Sequence, residues 1–525
     1  MPKRICTLIL FFTFLSFSKV HAQIDVLQYR FQLTLSDASD TLKGVATITV
    51  KFLEDTKSFK LDLASRNHGR GMQVYSVTAH DTTFSITHIQ DTLRIQLPKE
   101  AKKDAVQTYT ITYAGIPADG LIISKNRWNE RTFFADNWPN RAHQWLPCND
   151  RPDDKALVEF DVTAPAQYRV ISNGVLIEEK AISNNQTYTH WNETRPIPTK
   201  VMVIGAARFA VKQFADSSVT PVSAWVYPQD SSKGFRDLAP ATAVVKFLSD
   251  YIGPYPFEKL ANVQSKTIFG GMENAGAIFY AEDEIKGTGQ AEDLLAHEIA
   301  HQWFGDAATE KSFAHLWLSE GFATYLAHLY LEQTYGRDTL MKRLQADRAD
   351  VVRFAKQWPY PVVDSLSPLM QLLNANSYQK GSWVLHMLRM QVGDTVFKKI
   401  MQAYYSRYQF RNADTWDFEK VAEEVSGQEL STFFKQWLFT PGVPELKITM
   451  YHEKDLLIIT VNQEQQYLYT FPLEIEVSDD AGHKKKFSNV ITSKEQAFTY
   501  EVGFPIKHKV VDPDCKLLFT GGLIK

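Results

Sequence analysis

Apolar and polar residues alternate along much of the first two hundred positions of this chain. Ile48, Val50 and Phe52 are separated by Thr49 and Lys51, and the period of two returns at Phe59-Leu61-Leu63, Leu93-Ile95-Leu97 and Tyr109-Ile111-Tyr113. Successive side chains of a strand point to opposite faces, so this pattern predicts half-buried strands. Turn residues divide the runs, and the stretch 23–210 reads as an all-β domain. The period then changes. Short apolar runs from Val222 to Tyr227, Ala261 to Lys266 and Ala277 to Ala281 read as a few strands. Helical periodicity follows over 289–305, 318–334, 338–356, 377–392 and 415–426. Pro441-Gly442 breaks this region, and alternation resumes beyond it, as in Leu473-Ile475-Val477. The expected fold is multidomain α+β: a β domain (23–210), a mixed domain whose second half is helical (211–440), and a small antiparallel β-sandwich (441–525).

Residues 1–22 are set apart. Lys3 and Arg4 precede an apolar run from Ile5 to Phe17, and Val20-His21-Ala22 has the small-x-small form of a cleavage site. This reads as a secretory signal peptide, with export to the periplasm or the exterior expected. The run is shorter than the ~20 residues a bilayer span needs, and no later segment reaches that length. Of the 525 residues, 44% are hydrophobic and 13% aromatic, which supports a large core and excludes a disordered chain. The formal net charge is −3, and the one basic run, Lys484-Lys485-Lys486, follows turn residues. Nucleic acid and anionic membrane are therefore not expected partners. Beyond the signal only Cys148 and Cys515 remain, and a core of this size needs no disulfide. One disulfide between them is arithmetically possible, but two buried free thiols are the favoured expectation.

The chemistry is concentrated in His297-Glu298-Ile299-Ala300-His301 and in Glu320, with eighteen residues between the motif and that glutamate. Two imidazoles one helical turn apart share a face and can hold one zinc ion. Glu298 lies one step round the helix, where its carboxylate reaches water at the metal. Glu320, on a following helix, is the expected third ligand. Three protein ligands and an open position describe a catalytic rather than a structural zinc site. Chance alone gives an H-E-x-x-H in a chain this long at odds of about a few per cent. Here the flanking sequence also reads as helix, with acids in its first turn and Gly305 at its end. Two further motifs carry less when taken singly. Gly270-Gly271-Met272-Glu273-Asn274 places an acid after a Gly-Gly pair, which lets backbone approach a ligand closely. Tyr378, in Tyr378-Gln379-Lys380-Gly381, is by itself as readily a packing residue.

Together the three motifs, in this order and spacing, resemble the aminopeptidase N and leukotriene hydrolase family of zinc metallopeptidases, the gluzincins. The likeness runs from about residue 25 to the end and includes Gly253-Pro-Tyr-Pro-Phe, Trp317-Leu-Ser-Glu-Gly and the stretch from Trp437 to Pro444. The resemblance implies a β saddle, a thermolysin-like catalytic domain and a β-sandwich. It implies one zinc per chain held by His297, His301 and Glu320, with Glu298 as general base and Tyr378 as the oxyanion-stabilising hydroxyl. Glu273 would hold the free α-amine of a peptide substrate, and Gly270, Gly271, Met272 and Asn274 would line it. Asp136 is expected to stand in for a first-domain side chain that reaches the amine, although an acid there would equally suit a basic first residue. The long members' helical cap has no counterpart in this sequence, and Asp306 stands where many members have Asn. The implied activity is removal of N-terminal residues from peptides. Its rivals are an epoxide hydrolase on the same metal and a non-enzymatic zinc module. Missing carboxylate-reading residues speak against the first, and the presence of both Glu298 and Tyr378 against the second. The preferred first residue and the oligomeric state are left open.

Overall fold

Strand Leu42–Phe52 buries alternate residues, among them Leu42, Ala46, Ile48, Val50 and Phe52, as period-two sequence requires. In the computed structural model, which describes residues 23–214 and 220–524, such strands form three sheets in the N-terminal region. The expected signal segment, 1–22, lies outside the described residues. The largest of the three sheets has eight strands, and at its centre Ile24–Thr34 pairs antiparallel with Leu42–Phe52 and parallel with Lys155–Pro165. A four-stranded sheet includes Arg131–Ala135, which leads directly into Asp136 and Trp138.

The middle region opens with a five-stranded sheet, in the order Ala210–Phe214, Val222–Val226, Leu260–Ser265, Ala277–Ala281, Gly271–Met272. The two-residue strand Gly271–Met272 is its edge, antiparallel to Ala277–Ala281. Helices follow: α1 (Ser231–Asp237), α2 (Ala241–Tyr251), α3 (Glu292–His301), α4 (Trp317–Tyr335), α5 (Arg337–Gln357), α6 (Gly381–Val392), α7 (Asp394–Tyr408), α8 (Thr415–Ser426) and α9 (Ser431–Leu438). α4 is buried from Trp317 through Leu331 and packs against α3, α5 and α6, so it is the axis of this region. α8 starts with a capping box. Asp414 accepts from the Asp417 backbone at 3.0 Å, and Asp417 accepts from the Asp414 backbone at 2.9 Å. Gly427, with φ +68°, ends it in the left-handed conformation.

Two features differ from the periodic reading. The helix expected over 289–305 is only Glu292–His301, because the chain turns sharply at Gly305 (φ +131°), where a Cβ would meet the Ser319 hydroxyl at 2.5 Å. The helix expected over 377–392 begins as a wider π turn, Asn376–Lys380, before α6 takes over.

The C-terminal region is a sandwich of a four-stranded and a three-stranded sheet. It is not wholly antiparallel, since Glu445–Glu453 pairs parallel with Thr520–Leu523. Cys148 and Cys515 are buried and unpaired. Among the described residues no helix is long and apolar enough to cross a membrane.

Candidate active site

α3 carries His297 and His301 on one face, and α4 packs across it so that Glu320 faces the pair. The two Nε2 atoms are 3.0 Å apart, and Glu320 Oε2 lies 3.4 Å from that of His297 and 3.2 Å from that of His301. Glu320 Oε2 is buried without a hydrogen-bond partner. The outer nitrogens are occupied. His301 Nδ1 lies 3.2 Å from the Phe304 carbonyl and 3.0 Å from the Ser319 hydroxyl, and His297 Nδ1 lies 3.5 Å from the Thr324 hydroxyl. An Nδ1–H on His301 leaves its Nε2 lone pair directed inward. Three donor atoms thus converge with nothing in the protein to bind, and their types, two imidazoles and a carboxylate, suit zinc. The side chains of His301 and Glu320 are 2% and 5% exposed and that of His297 17%, so the cleft opens on the His297 side.

The other motif residues line the same cleft of about 250 Å³. Gly271 passes so close to Glu298 that a Cβ there would run into the carboxylate, which explains the glycine. Glu273 Oε1 is buried and unpartnered, and a carboxylate oxygen of Glu273 lies within 4.8 Å of a carboxylate oxygen of Glu298 and a ring nitrogen of His301. The Tyr378 ring stacks on that of His297 at 5.8 Å between centroids. It is brought there by a close crossing: Gly321 in α4 meets Gly381 at the start of α6, and a Cβ on Gly321 would sit 2.8 Å from Gly381 backbone.

Charge in the cleft is unevenly shared. Burial raises the Glu298 carboxyl well above its usual range; His301 opposes this, while Glu273 and Glu320 add to it. Burial also lowers His297. Burial disfavours positive charge at His301, but Glu320, Glu273 and Glu298 outweigh that and raise its affinity for a cation at Nε2; a bound metal takes the place of that proton. Glu320, despite its burial, is held far below the carboxylate range by the two imidazoles. Burial, reinforced by Glu320 and Glu273, keeps the Tyr378 phenol firmly protonated.

Asp136 does not join this group. It is fully buried, and both of its oxygens are taken: one accepts from Arg141 Nη2 at 2.8 Å, the other from the Ile268 backbone at 2.9 Å and the Thr267 hydroxyl at 3.1 Å. It is not among the residues that line the cleft. The expectation of a substrate-binding role for Asp136 is corrected accordingly. Trp138, two residues on, lines the cleft instead, with Phe269, Met272, Leu294 and Leu373. Phe269, Leu294 and Leu373 carried no signal in the sequence, since an apolar residue that walls a cleft has the same periodicity as one in the core. Asn274 is adjacent to the cleft but fully buried, with neither side-chain atom hydrogen-bonded.

Residues 26–201 match the peptidase M1 N-terminal domain, and residues 237–437 the peptidase family M1 domain. The chain belongs to peptidase family M1. Among curated M1 relatives, probable aminopeptidase 2 of Sulfurisphaera tokodaii is 31% identical over 361 residues, covering 64% of this chain and 45% of that protein. The leucyl aminopeptidase of Saccharolobus solfataricus is 26% identical over 401 residues, covering 72% and 49%. Human glutamyl aminopeptidase is 26% identical over 370 residues, covering 66% and 38%. The chain thus spans about half the length, or less, of these relatives. In three dimensions it is similar to a mutant M1 zinc metallopeptidase from Deinococcus radiodurans crystallised with a Tyr-Ser-Ala substrate. The TM-score is 0.68 at 22% identity, over 80% of this chain and 95% of that one. The M1 fold is therefore shared, with its N-terminal β-rich part, mixed helical part and C-terminal β-rich part.

Proposed function

We propose that this M1 chain is a zinc-dependent aminopeptidase that removes residues one at a time from the free N-termini of extended peptides. The observation that carries the reading is the unpartnered Glu273 carboxylate beside the His297–His301–Glu320 donor set. A buried carboxylate without a partner is costly, and a substrate ammonium is the counter-ion that relieves it. The names of the relatives support the same class of activity.

Zinc bound by His297, His301 and Glu320 would supply Lewis acidity, lowering the pKa of water to about 7 and polarising a carbonyl. Glu298 takes the proton from the attacking water and hands it to the departing amine nitrogen. The protonated Tyr378 hydroxyl donates to the carbonyl oxygen as negative charge builds on it. Glu273 pairs with the α-ammonium and so admits only the first peptide bond to the reacting position. The edge strand Gly271–Met272 offers backbone groups along which an extended peptide pairs. Trp138, Phe269, Met272, Leu294 and Leu373 give the cleft apolar walls. Residues 1–22, as an export signal, would direct this activity to peptides outside the cytoplasm.

The test is a mass-spectrometric time course on one decapeptide, free and N-acetylated, with the zinc content of the protein measured alongside. One zinc per chain and stepwise N-terminal loss from the free peptide alone is the expected result. Internal cuts, or equal cleavage of both peptides, would overturn the exopeptidase reading.

A further inference from the structure

Glu273 has no partner for its Oε1 atom, so its position comes from its backbone rather than its side chain. That backbone belongs to the segment Thr267–Gly276, which contains the adjacent Gly270 and Gly271; it pairs with the sheet at its edge through Gly271 and Met272 and is tied to the strand Leu260–Ser265 at Gly276, whose carbonyl accepts from the Ala261 backbone at 3.0 Å. A chain of this kind needs anchors to stay in one place. Buried side chains supply them. Asn173 donates to the Ala275 carbonyl and Lys259 to the Gly276 carbonyl, both at 2.8 Å. Two more hold the segment at Glu273 itself and at its start, and neither takes part in the mechanism above.

The first is Gln302, next in sequence to the zinc ligand His301. Its Nε2 donates to the Glu273 carbonyl at 2.7 Å and to Asp306 Oδ2 at 2.9 Å. Its Oε1 accepts from the Gly276 backbone at 2.8 Å and from the Tyr255 hydroxyl at 3.0 Å. One fully buried amide therefore spans Glu273 and Gly276 and ties them to the end of α3. The second anchor is Asp136. From the N-terminal region it accepts from Ile268 and Thr267, at the opposite end of the same segment, while Arg141 neutralises it.

We infer that Gln302 and Asp136 are positioning residues that together fix Glu273 at a set distance from the metal ligands, and so set which peptide bond is cut. The inference rests on the aminopeptidase reading. It extends that reading by placing the control of register outside the cleft wall. Because Gln302 follows His301 directly, the metal ligand and the amine holder share one mount.

The experiment uses the full, zinc-loaded protein. Hydrogen exchange over residues 266–281, zinc content, and kcat and KM on leucine p-nitroanilide are measured for Gln302→Met, Gln302→Glu, Asp136→Ala and Asp136→Asn. Gln302→Met keeps the volume and removes both ends of the clamp. Gln302→Glu keeps the acceptor for Gly276 but loses the donor to the Glu273 carbonyl. Expected for Gln302→Met are one zinc per chain, faster exchange in the segment, and a KM raised about ten- to a hundredfold, the scale of a misplacement near 1 Å. Its kcat should stay within about threefold, since binding rather than chemistry is disturbed. Asp136→Ala should act in the same direction, and Asp136→Asn, which retains an acceptor for Ile268, should recover most of the loss. Unchanged exchange and KM in Gln302→Met would overturn the inference. So would zinc loss with an unchanged KM in the remaining loaded fraction, which would make Gln302 a support of α3 alone. If Gln302→Met fails to fold, Gln302→Glu and the Asp136 pair decide by the same readouts. A wild type that releases no N-terminal residue from any free peptide defeats the aminopeptidase reading, whereas the exchange data judge the anchors separately.

Discussion

Glu298 is one of three carboxylates in the cleft, and its neighbours separate its role from the others. Glu320 Oε2 lies within 3.4 Å of both imidazole Nε2 atoms, as a metal ligand would, while Glu298 is buried against the Gly271 backbone, one step round α3 from His297. Glu298→Gln should therefore keep the zinc and lower kcat by about 10²–10⁴-fold. Metal analysis and steady-state kinetics on the same preparation check this, and a metal-replete variant with wild-type turnover would refute the role. Tyr378→Phe keeps the stacked ring and removes one donor, so kcat should fall by about 10²–10³-fold with the fold intact. An unchanged kcat would reduce Tyr378 to packing. Asp154, which does not line the cleft, makes a prediction about pH. Burial, reinforced by Asp25, pushes its carboxyl up to about 7, although Asn149 and the Val26 backbone donate to it. The folded state then binds an extra proton between roughly pH 4 and pH 7, so the stability this group contributes is present at low pH and lost as pH rises through that window. Asp154→Asn keeps an acceptor for Val26 and cannot ionise. Its melting temperature should exceed that of the wild type at about pH 8 and approach it at about pH 4, a difference that thermal scans at the two pH values measure directly.

Among the elements, the crossing of α4 and α6 is a close backbone-to-backbone contact near the cleft. An alanine at Gly321 puts a methyl against Gly381 backbone, and overpacking of this kind costs about 1–3 kcal/mol. Gly321→Ala should lower the melting temperature and, by pushing the Tyr378 turn away from His297, lower kcat as well; an unchanged kcat with a lowered melting temperature would separate packing from catalysis. The strands Leu42–Phe52, Thr92–Ala101 and Val106–Ile116 were legible because each buries one face and its sequence alternates accordingly. α8 was legible to its last residue because Asp414, Asp417 and Gly427 mark both ends. α1 was not, since seven mostly polar residues with a glycine among them carry no apolar stripe. The π turn at Tyr378 was invisible for another reason: it belongs to a meeting of two helices sixty residues apart in sequence, which no local period encodes. The converging metal-ligand donors were legible through their one-turn spacing and the helix that follows. Asp136 was misjudged because a sequence does not distinguish an acid that faces a cleft from one paired with an arginine five residues on.

Over the whole molecule, lysines of the N-terminal region grip the loops that frame the site. Lys155 donates to the Asp306 and Ala307 carbonyls at 2.9 and 2.7 Å, and Lys200 forms a fully buried pair with Glu310 at 2.6 Å. These contacts lie just beyond α3, so the metal centre and the seam between the two regions share a mount. Removing zinc should then be felt as stability as well as activity. A ligand present at a hundred times its Kd stabilises the folded state by about 2.7 kcal/mol. Chelation should abolish peptide cleavage and lower the melting temperature by several degrees, and added zinc should restore both. A metal-free protein that melts with the wild type would show that the centre contributes nothing to the seam.

The two-residue edge formed by Gly271 and Met272 has a consequence for which proteins are vulnerable. A strand joins a sheet edge only with backbone donors and acceptors that are still free. A chain end already wound into a helix, or docked in a sheet of its own, has none to offer. On the aminopeptidase reading, the length of N-terminal tail that has escaped secondary structure would then govern the lifetime of a protein exposed to this chain. Trimming would halt at the first ordered residue, leaving folded cores with blunt ends while unfolded chains are consumed.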